Sequence, residues 1–326
     1  MPDQAVRTGR RAGLIVNPSA GKNSGKGLAL VDKLSGERAA TIRILERFEQ
    51  LEGFLREMAA DRVSDLFISS GDGTIQEILT HIAERSPFAS QPNIILLPHG
   101  TTNLSANDVG FRSHALEAQA SFMRSLAPQD VTSRNTIRCL NPGDGKLRHG
   151  MFVGTGAVAH ATRYCQQAFN DHGIKGRWAV AGTLLTAVRK YLFSKPDPTD
   201  ESRFDRPYQI MVEAKGRVMA DGPQLLQMST TLEKLVLNTR PFWGGKTAPI
   251  RTSVFPYPVP SVARWMLPVM YGGENRKSPP GSVSFCSDAL EVISRDVFVI
   301  DGEFFPAPTD EPLKLETGPL FSFVRG

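Results

Sequence analysis

The chain has 326 residues, of which 40% are hydrophobic and 22% charged, values that exclude a fully disordered chain and suggest roughly two domains. Its 38 Lys and Arg against 33 Asp and Glu leave a net charge of +5, and no polybasic tail accounts for it. That balance suits an anionic membrane surface, a nucleotide or a nucleic acid about equally, so charge selects no partner.

Leu14-Ile15-Val16 reads as a buried strand cut off at Asn17-Pro18. Ile42 to Leu45 reads as a second strand, and Leu51, Phe54, Leu55 and Met58 follow one helix face. Leu66-Phe67-Ile68 is a third strand, ending at Ser69-Ser70-Gly71, and Ile75, Ile78, Leu79 and Ile82 mark the next helix. Ile94 to Leu97 is a fourth strand stopped by Pro98, and Leu116, Ala120 and Met123 line a third helix. Short continuous apolar strands alternating with helices predict an α/β N-terminal domain, over 1–133, with a parallel sheet covered on both faces.

Beyond residue 134 the pattern changes. Tyr208, Ile210, Val212 and Ala214 alternate as a half-exposed strand does, and Lys215-Gly216 makes a turn. Leu225 to Met228, Leu235 to Leu237, Val283 to Phe285, Leu290 to Ile293 and Val297 to Ile300 read as further strands. One helical insertion, about Ala157 to Phe193, interrupts them, and dense prolines from Pro241 to Pro280 argue for long loops. The expectation is a mostly antiparallel β-sandwich or flattened barrel over 134–308, then a C-terminal segment, 309–326. Cys139, Cys165 and Cys286 lie far apart, which argues against a disulfide framework or a zinc site and for a reducing compartment. The N-terminal apolar run, Gly13 to Val16, is too short for a signal sequence, and the window Trp178 to Val188 is about half a membrane span. A cytoplasmic protein, soluble or peripheral at the membrane, is expected.

In parallel sheets ligands bind at the carboxyl ends of the strands, and three polar turns fall there. Ser69-Ser70-Gly71-Asp72-Gly73-Thr74 precedes a helix whose start supplies free N–H groups for phosphate. A plainer reading has Thr74 capping that helix in a box with Glu77. Asn17 to Gly27 holds three glycines, two serines and two lysines, but no Walker A closure. Pro98-His99-Gly100-Thr101-Thr102-Asn103 is the third, with His99 read as a solvated loop residue rather than a catalytic one.

In order, Asn-Pro-x-x-Gly, Gly-Asp-Gly-Thr-x-x-Glu and Pro-x-Gly-Thr-x-Asn resemble the diacylglycerol-kinase catalytic-domain superfamily, the diacylglycerol, sphingosine, ceramide and bacterial lipid kinases, distantly related to NAD kinases. Val299-Ile300-Asp301-Gly302-Glu303 is similar to the family's late Asp-Gly-Glu element. The resemblance implies an ATP site between the domains and a lipid-binding second domain. It implies nucleotide contact by Asn17, Pro18, Ser19, Gly21 and Lys22, by Gly71, Asp72, Gly73 and Thr74, and by Gly100, Thr101 and Asn103. It also implies that the C-terminal segment returns to the first domain. Ser70 stands where the family's first glycine is usual, and the usual Asn-Asp pair is split as Asn103 and Asn107-Asp108. After Gly244-Gly245 the chain reads Lys246 to Ser253 without the family's Asp-Gly, which in bacterial members helps organise a structural metal site, so the resemblance leaves that site open; Ser287-Asp288 is the nearest later patch with an acid.

Phosphoryl transfer needs a positioned triphosphate, Mg²⁺ and a deprotonated acceptor hydroxyl. Asp72 is assigned to organising nucleotide and metal, Asp301 to the general base, and Glu303 to assisting it or binding Mg²⁺; Asp72 is the rival base. Asp301-Gly302 also reads simply as a hairpin turn. Phe242-Trp243, Trp265-Met266-Leu267 and Val269-Met270-Tyr271 are candidates for an acceptor slot or membrane contact, or for plain core. Lys175 to Lys195, basic and amphipathic, reads as a core helix or as one lying on an anionic membrane. The leading expectation is an ATP- and Mg²⁺-dependent lipid kinase with a lipid substrate, peripheral membrane contact and no nucleic-acid partner; oligomerisation is left open. The alternatives are NAD-kinase-like phosphorylation of a soluble hydroxyl and a catalytically inactive lipid-binding protein.

Overall fold

The computed structural model describes residues 9–19, 24–35, 40–100, 103–127, 130–172, 182, 190 and 203–325. The chain divides into two compact units, Met1–Arg134 with Pro319–Gly326, and Asn135–Gly318. The terminal return therefore starts at Pro319 rather than at 309.

The first unit runs β1 (Ala12–Val16), α1 (Ser24–Leu34), β2 (Ala40–Ile44), α2 (Leu51–Ala60), β3 (Asp65–Ser69), α3 (Asp72–Arg85), β4 (Asn93–Leu97), α4 (Leu104–Val109) and α5 (Leu116–Ser125). The strands lie in the order β4, β3, β1, β2, all parallel, and Phe323 near the chain's end pairs in parallel with Ile94 on the far side of β4. β1 and β3 are buried along their whole length and β4 from Ile94 onward, as in a sheet covered by helices; this is why β1, Leu66–Ile68 of β3 and β4 read as apolar runs. Leu51, Leu55 and Met58 of α2 and Ile75, Ile78, Leu79 and Ile82 of α3 supply buried helix faces. On α5, Phe122 stacks on Phe111 with centroids 5.2 Å apart.

At the amino end of β3 the fully buried Asp65 is paired. Arg10 donates to both its carboxylate oxygens, from Nε at 2.9 Å and from Nη2, and the Ser64 hydroxyl and Asn93 amide add two more bonds. This neutralises the buried charge and raises the Arg10 pKa, chiefly through the side-chain hydrogen bond.

The second unit holds most of β5 (Val131–Cys139), then β6 (Arg148–Gly150), β7 (Phe152–Gly156), α6 (Ala157–His172), β8 (Tyr208–Ala214), β9 (Arg217–Ala220), β10 (Pro223–Thr230), β11 (Ile250–Pro256), α7 (Val262–Tyr271), β12 (Val283–Ser287), β13 (Ala289–Ser294), β14 (Phe298–Ile300), β15 (Glu303–Phe305) and the start of β16 (Leu313–Val324). Neighbouring strands β15, β14, β7, β10, β8, β13 and β16 pair antiparallel, with β11 beside β10 and β12 beside β11. Val153, Ile210, Val212, Val254, Phe285, Val292, Phe298 and Ile300 form its core. An N-terminal α/β domain and an antiparallel, strand-rich second domain are as expected.

Several local readings change. Leu235 to Leu237 is not a strand: Val236–Asn238 is a single 3₁₀ turn with Leu237 and Asn238 at φ +59° and +58°, closed by the Leu235 N–H to the Thr239 carbonyl. The proline-dense stretch holds a helix, α7, with Pro268 inside it. β5, β6, β7 and β11 were not anticipated. Of the basic stretch Lys175 to Lys195, only residues 182 and 190 are among those described.

Candidate nucleotide site and acidic turn

β1, β3 and β4 end in register, Val16 beside Ser69 and Ser69 beside Leu97, so the three polar turns leave the sheet at one edge. α3 begins at Asp72 with Gly71 as its N-cap, and the first intrahelical bond runs from the Ile75 N–H to the Gly71 carbonyl. The N–H groups of the first turn therefore have no acceptor within the helix, which creates a partial positive charge there. The expected Thr74–Glu77 capping box does not form. Thr74 sits inside the helix, and its Oγ1 instead accepts a hydrogen bond from Asn17 Nδ2 at 2.8 Å. Gly73 has no positive φ, so its backbone conformation does not itself require glycine.

Side chains tie the turns together. Asn17 Oδ1 accepts from the Ser19 N–H at 2.9 Å, so the Asn17 amide bridges the first turn to the helix of the second. Asp72 is only 9% exposed. Its oxygens accept from the Leu104 and Ser105 N–H groups at 3.1 and 3.3 Å, holding the start of α4. Asn103, at φ +52°, closes a ring with Gly100: its Oδ1 accepts from the Gly100 N–H and its Nδ2 donates to the Gly100 carbonyl, both at 2.8 Å. A Cβ on Gly100 would lie 2.9 Å from Gly71 Cα and 3.0 Å from the Ser70 carbonyl, so only glycine lets the third turn back onto the second. Pro18 and Ser19 continue the first turn, whereas Gly21, Lys22 and Thr101 lie outside the described residues.

Two features of this edge were not anticipated. His99 is buried rather than solvated, with Nδ1 2.8 Å from Ser69 Oγ. Burial, helped by the Lys26 ammonium, lowers its pKa to about 4, so the ring is neutral near pH 7. Ser70 Oγ is buried without a hydrogen-bond partner among the described residues. The signal for Ser70 was present in the sequence, a hydroxyl where the family's glycine is usual. An orphaned hydroxyl beside a helix N-terminus fits a phosphate or ribose oxygen, since both supply the acceptor it lacks.

The acidic turn lies in the second unit. Ile300 pairs with Glu303, and Asp301 and Gly302 between them adopt φ +48° and +92°, a two-residue hairpin turn. The turn is more than a bend. The Asp301 carboxylate, 3% exposed, accepts from the Met151 and Phe152 N–H groups at 3.0 and 2.8 Å. A Cβ on Gly150 would stand 3.0 Å from Asp301 Oδ2, so that glycine makes room for the carboxylate. Glu303 is exposed. Nearby, Gln227 and Ser229 of β10 and Thr252 of β11 are wholly buried and linked by hydroxyl hydrogen bonds of 2.8 and 2.7 Å, with Gln227 Oε1 unpartnered among the described residues. Phe242 is buried and Trp243 packs edge-on against Phe255, so this pair serves as core.

No group of three or more His, Cys, Asp or Glu side chains among the described residues could hold a metal on its own. Mg²⁺ needs no such cage, being held typically by one or two carboxylates and by substrate phosphates, and Asp72 in the first unit fits that pattern. No helix among the described residues is long and apolar enough to cross a membrane.

An α/β unit with three interlocked polar turns at its sheet edge has a candidate ligand site where such sheets carry one, at the carboxyl ends of the strands. Residues 11–133 match the family model described as the diacylglycerol kinase catalytic domain. The first unit is thus similar to the diacylglycerol-kinase catalytic domain, and the resemblance carried by the motifs is borne out. The whole chain is similar to the crystal structure of a diacylglycerol kinase from Bacillus anthracis str. Sterne, at 15% identity and a TM-score of 0.63, over 97% of each chain. A second structure from that bacterium, assigned as a diacylglycerol kinase, is 16% identical with a TM-score of 0.64, covering 97% of this chain and 98% of the other. At such identities the likeness is one of fold. No curated protein matches the sequence.

Proposed function

We propose that the protein is an ATP-dependent lipid kinase that transfers the γ-phosphate of ATP to the hydroxyl of a lipid alcohol, a diacylglycerol, ceramide or sphingoid-like acceptor. The observation that carries this reading is the interlocking of the three turns through Asn17–Thr74, Asp72–Leu104 and Asn103–Gly100, within the segment that matches the catalytic-domain family. Bound there, ATP with Mg²⁺ supplies the transferable phosphoryl group and the cation that neutralises its charge. The first-turn N–H groups of α3 and the Ser70 hydroxyl orient the phosphates. Asp72 keeps the third turn in place and offers its charge to the metal, and in the second unit Glu303 is the acid proposed to assist Asp301. Asp301, fixed in direction by the Met151 and Phe152 amides, takes the proton of the acceptor hydroxyl.

The test is turnover of radiolabelled ATP against a panel of lipid alcohols in mixed micelles, with free NAD as a control acceptor. Labelled phospholipid product supports the reading. Labelled NADP alone, or no product with any acceptor, overturns it.

A further inference from the structure

Helix α7 turns a mixed apolar and basic stripe to solvent. Arg264, Leu267 and Tyr271 are spaced i, i+3, i+7 and so share a face. Leu267 is 63% and Tyr271 54% exposed, and Arg264 is exposed beside them. The core does not use this face: Val269, Val262 and Trp265 of the same helix pack with Phe255 and Val259. The stripe continues onto the 3₁₀ turn at Val236–Asn238, where the Tyr271 hydroxyl donates to the Leu237 carbonyl at 3.2 Å. Arg276 staples the end of α7, donating to the carbonyls of Gly273, Phe242, Val269 and Arg240.

Basic residues flank the stripe. The Arg240 N–H donates to the Met270 carbonyl near the end of α7 and Lys277 follows Arg276, whereas Lys246 and Arg251 are paired with Glu233. Arg240, Arg264 and Lys277 are exposed, and none has a carboxylate partner among the described residues. An exposed Leu and Tyr with three exposed cations on and beside the same helix match the chemistry of an interface with apolar acyl chains below and anionic headgroups above.

We propose that α7 and the adjoining 3₁₀ turn dock on an anionic lipid bilayer, with Leu267 and Tyr271 inserted to headgroup depth and Arg240, Arg264 and Lys277 facing the headgroups. The proposal holds whether or not the chain phosphorylates a lipid, because it concerns the surface and not the acceptor.

The experiment is sedimentation of the full chain with vesicles, without ATP or acceptor lipid, using phosphatidylcholine alone and phosphatidylcholine mixed with phosphatidylglycerol. Binding to the mixed vesicles only, weakening with added salt, is expected. Arg264→Gln and Lys277→Gln should each weaken partitioning about fivefold. Leu267→Asp with Tyr271→Ser should remove binding while leaving the thermal midpoint near that of the parent chain, since both side chains are exposed. Equal binding to both vesicle types, no binding to either, or undiminished binding by the Leu267→Asp, Tyr271→Ser chain overturns the proposal. So does a dimer in gel filtration that Leu267→Asp converts to monomer, because a second copy would then own the stripe. A failed kinase assay leaves this result standing, so the two readings fail separately.

Discussion

The Asp72 carboxylate accepts a hydrogen bond from the Leu104 N–H at 3.1 Å, so a residue at the start of one helix caps the start of another. In the kinase reading Asp72 has two duties, as a cap and as a charge near the phosphates. Asp72→Asn keeps one acceptor oxygen and removes the charge. Stability should fall by no more than ~1 kcal/mol, the scale of a helix cap. Turnover should fall on the order of a hundredfold or more, because the lost charge acts on the transferring group. Urea unfolding and initial rates on the same preparation separate the two; near-parental turnover would reduce Asp72 to a cap.

Gly100→Ala tests the contact between turns. Its Cβ would meet Gly71 Cα at 2.9 Å and the Ser70 carbonyl at 3.0 Å, and backbone cannot step aside as a flexible side chain can. Overpacking of this kind typically costs ~1–3 kcal/mol. Pushing the third turn off the second should also weaken nucleotide binding. Calorimetry with a non-hydrolysable ATP analogue measures this, and unchanged affinity would show that the nucleotide does not depend on the packing of these turns.

His99 gives a pH dependence whose sign follows from its environment. Burial lowers its pKa in the fold to about 4, below the ordinary value of 6.5, so the folded state binds fewer protons than the unfolded chain. Its contribution is complete above pH 6.5 and is lost as the pH falls from there towards 4, amounting to ~3 kcal/mol at full loss. The acid side of a stability profile should therefore steepen across that window, and His99→Gln should flatten it. A profile identical in the two proteins would mean that the ring takes up its proton as readily in the fold as out of it.

What the sequence made legible depended on how each segment is buried. β1 and β4 are apolar along their buried lengths and β3 from Leu66 to Ile68, so their runs could be read directly, and the turns at their ends followed. β11 was missed because Arg251, Thr252 and Ser253 are buried by hydrogen bonding and not by greasiness: Ser229 Oγ meets Thr252 Oγ1 at 2.7 Å, and Ser253 Oγ donates to the Pro241 carbonyl at 2.7 Å. β6 and β7 hid for the same reason, with Arg148, His149 and Thr155 inside. α7 was obscured by the prolines around and within it. At the site, residue types were legible but partnerships were not. Asp72 and Leu104, or Asn17 and Thr74, are joined only by the fold, and no local pattern encodes a bond across that distance in the chain.

Asp301 is where a structural and a chemical role must be pulled apart. The hairpin needs a residue that tolerates φ +48°, and its carboxylate anchors the Met151 and Phe152 amides. Asp301→Asn meets the first demand, since Asn accepts the left-handed region nearly as readily. It meets most of the second, because one amide oxygen can still accept from both N–H groups. The variant should therefore fold with a loss of no more than ~1–2 kcal/mol. Asp301→Ala, which leaves both buried N–H groups unpaired, should lose more. If the carboxylate is the general base, kcat in Asp301→Asn falls by ~10²–10⁴-fold while ATP affinity stays near the parental value, because the interaction removed exists mainly in the transition state. The acid limb of the rate profile should vanish with it, as no carboxylate remains there to be protonated. Steady-state rates across pH, with ATP affinity measured separately, decide the matter. Full activity in Asp301→Asn, together with loss in Asp72→Asn, would transfer the proton-abstracting role to Asp72 and leave Asp301 as the anchor of its hairpin.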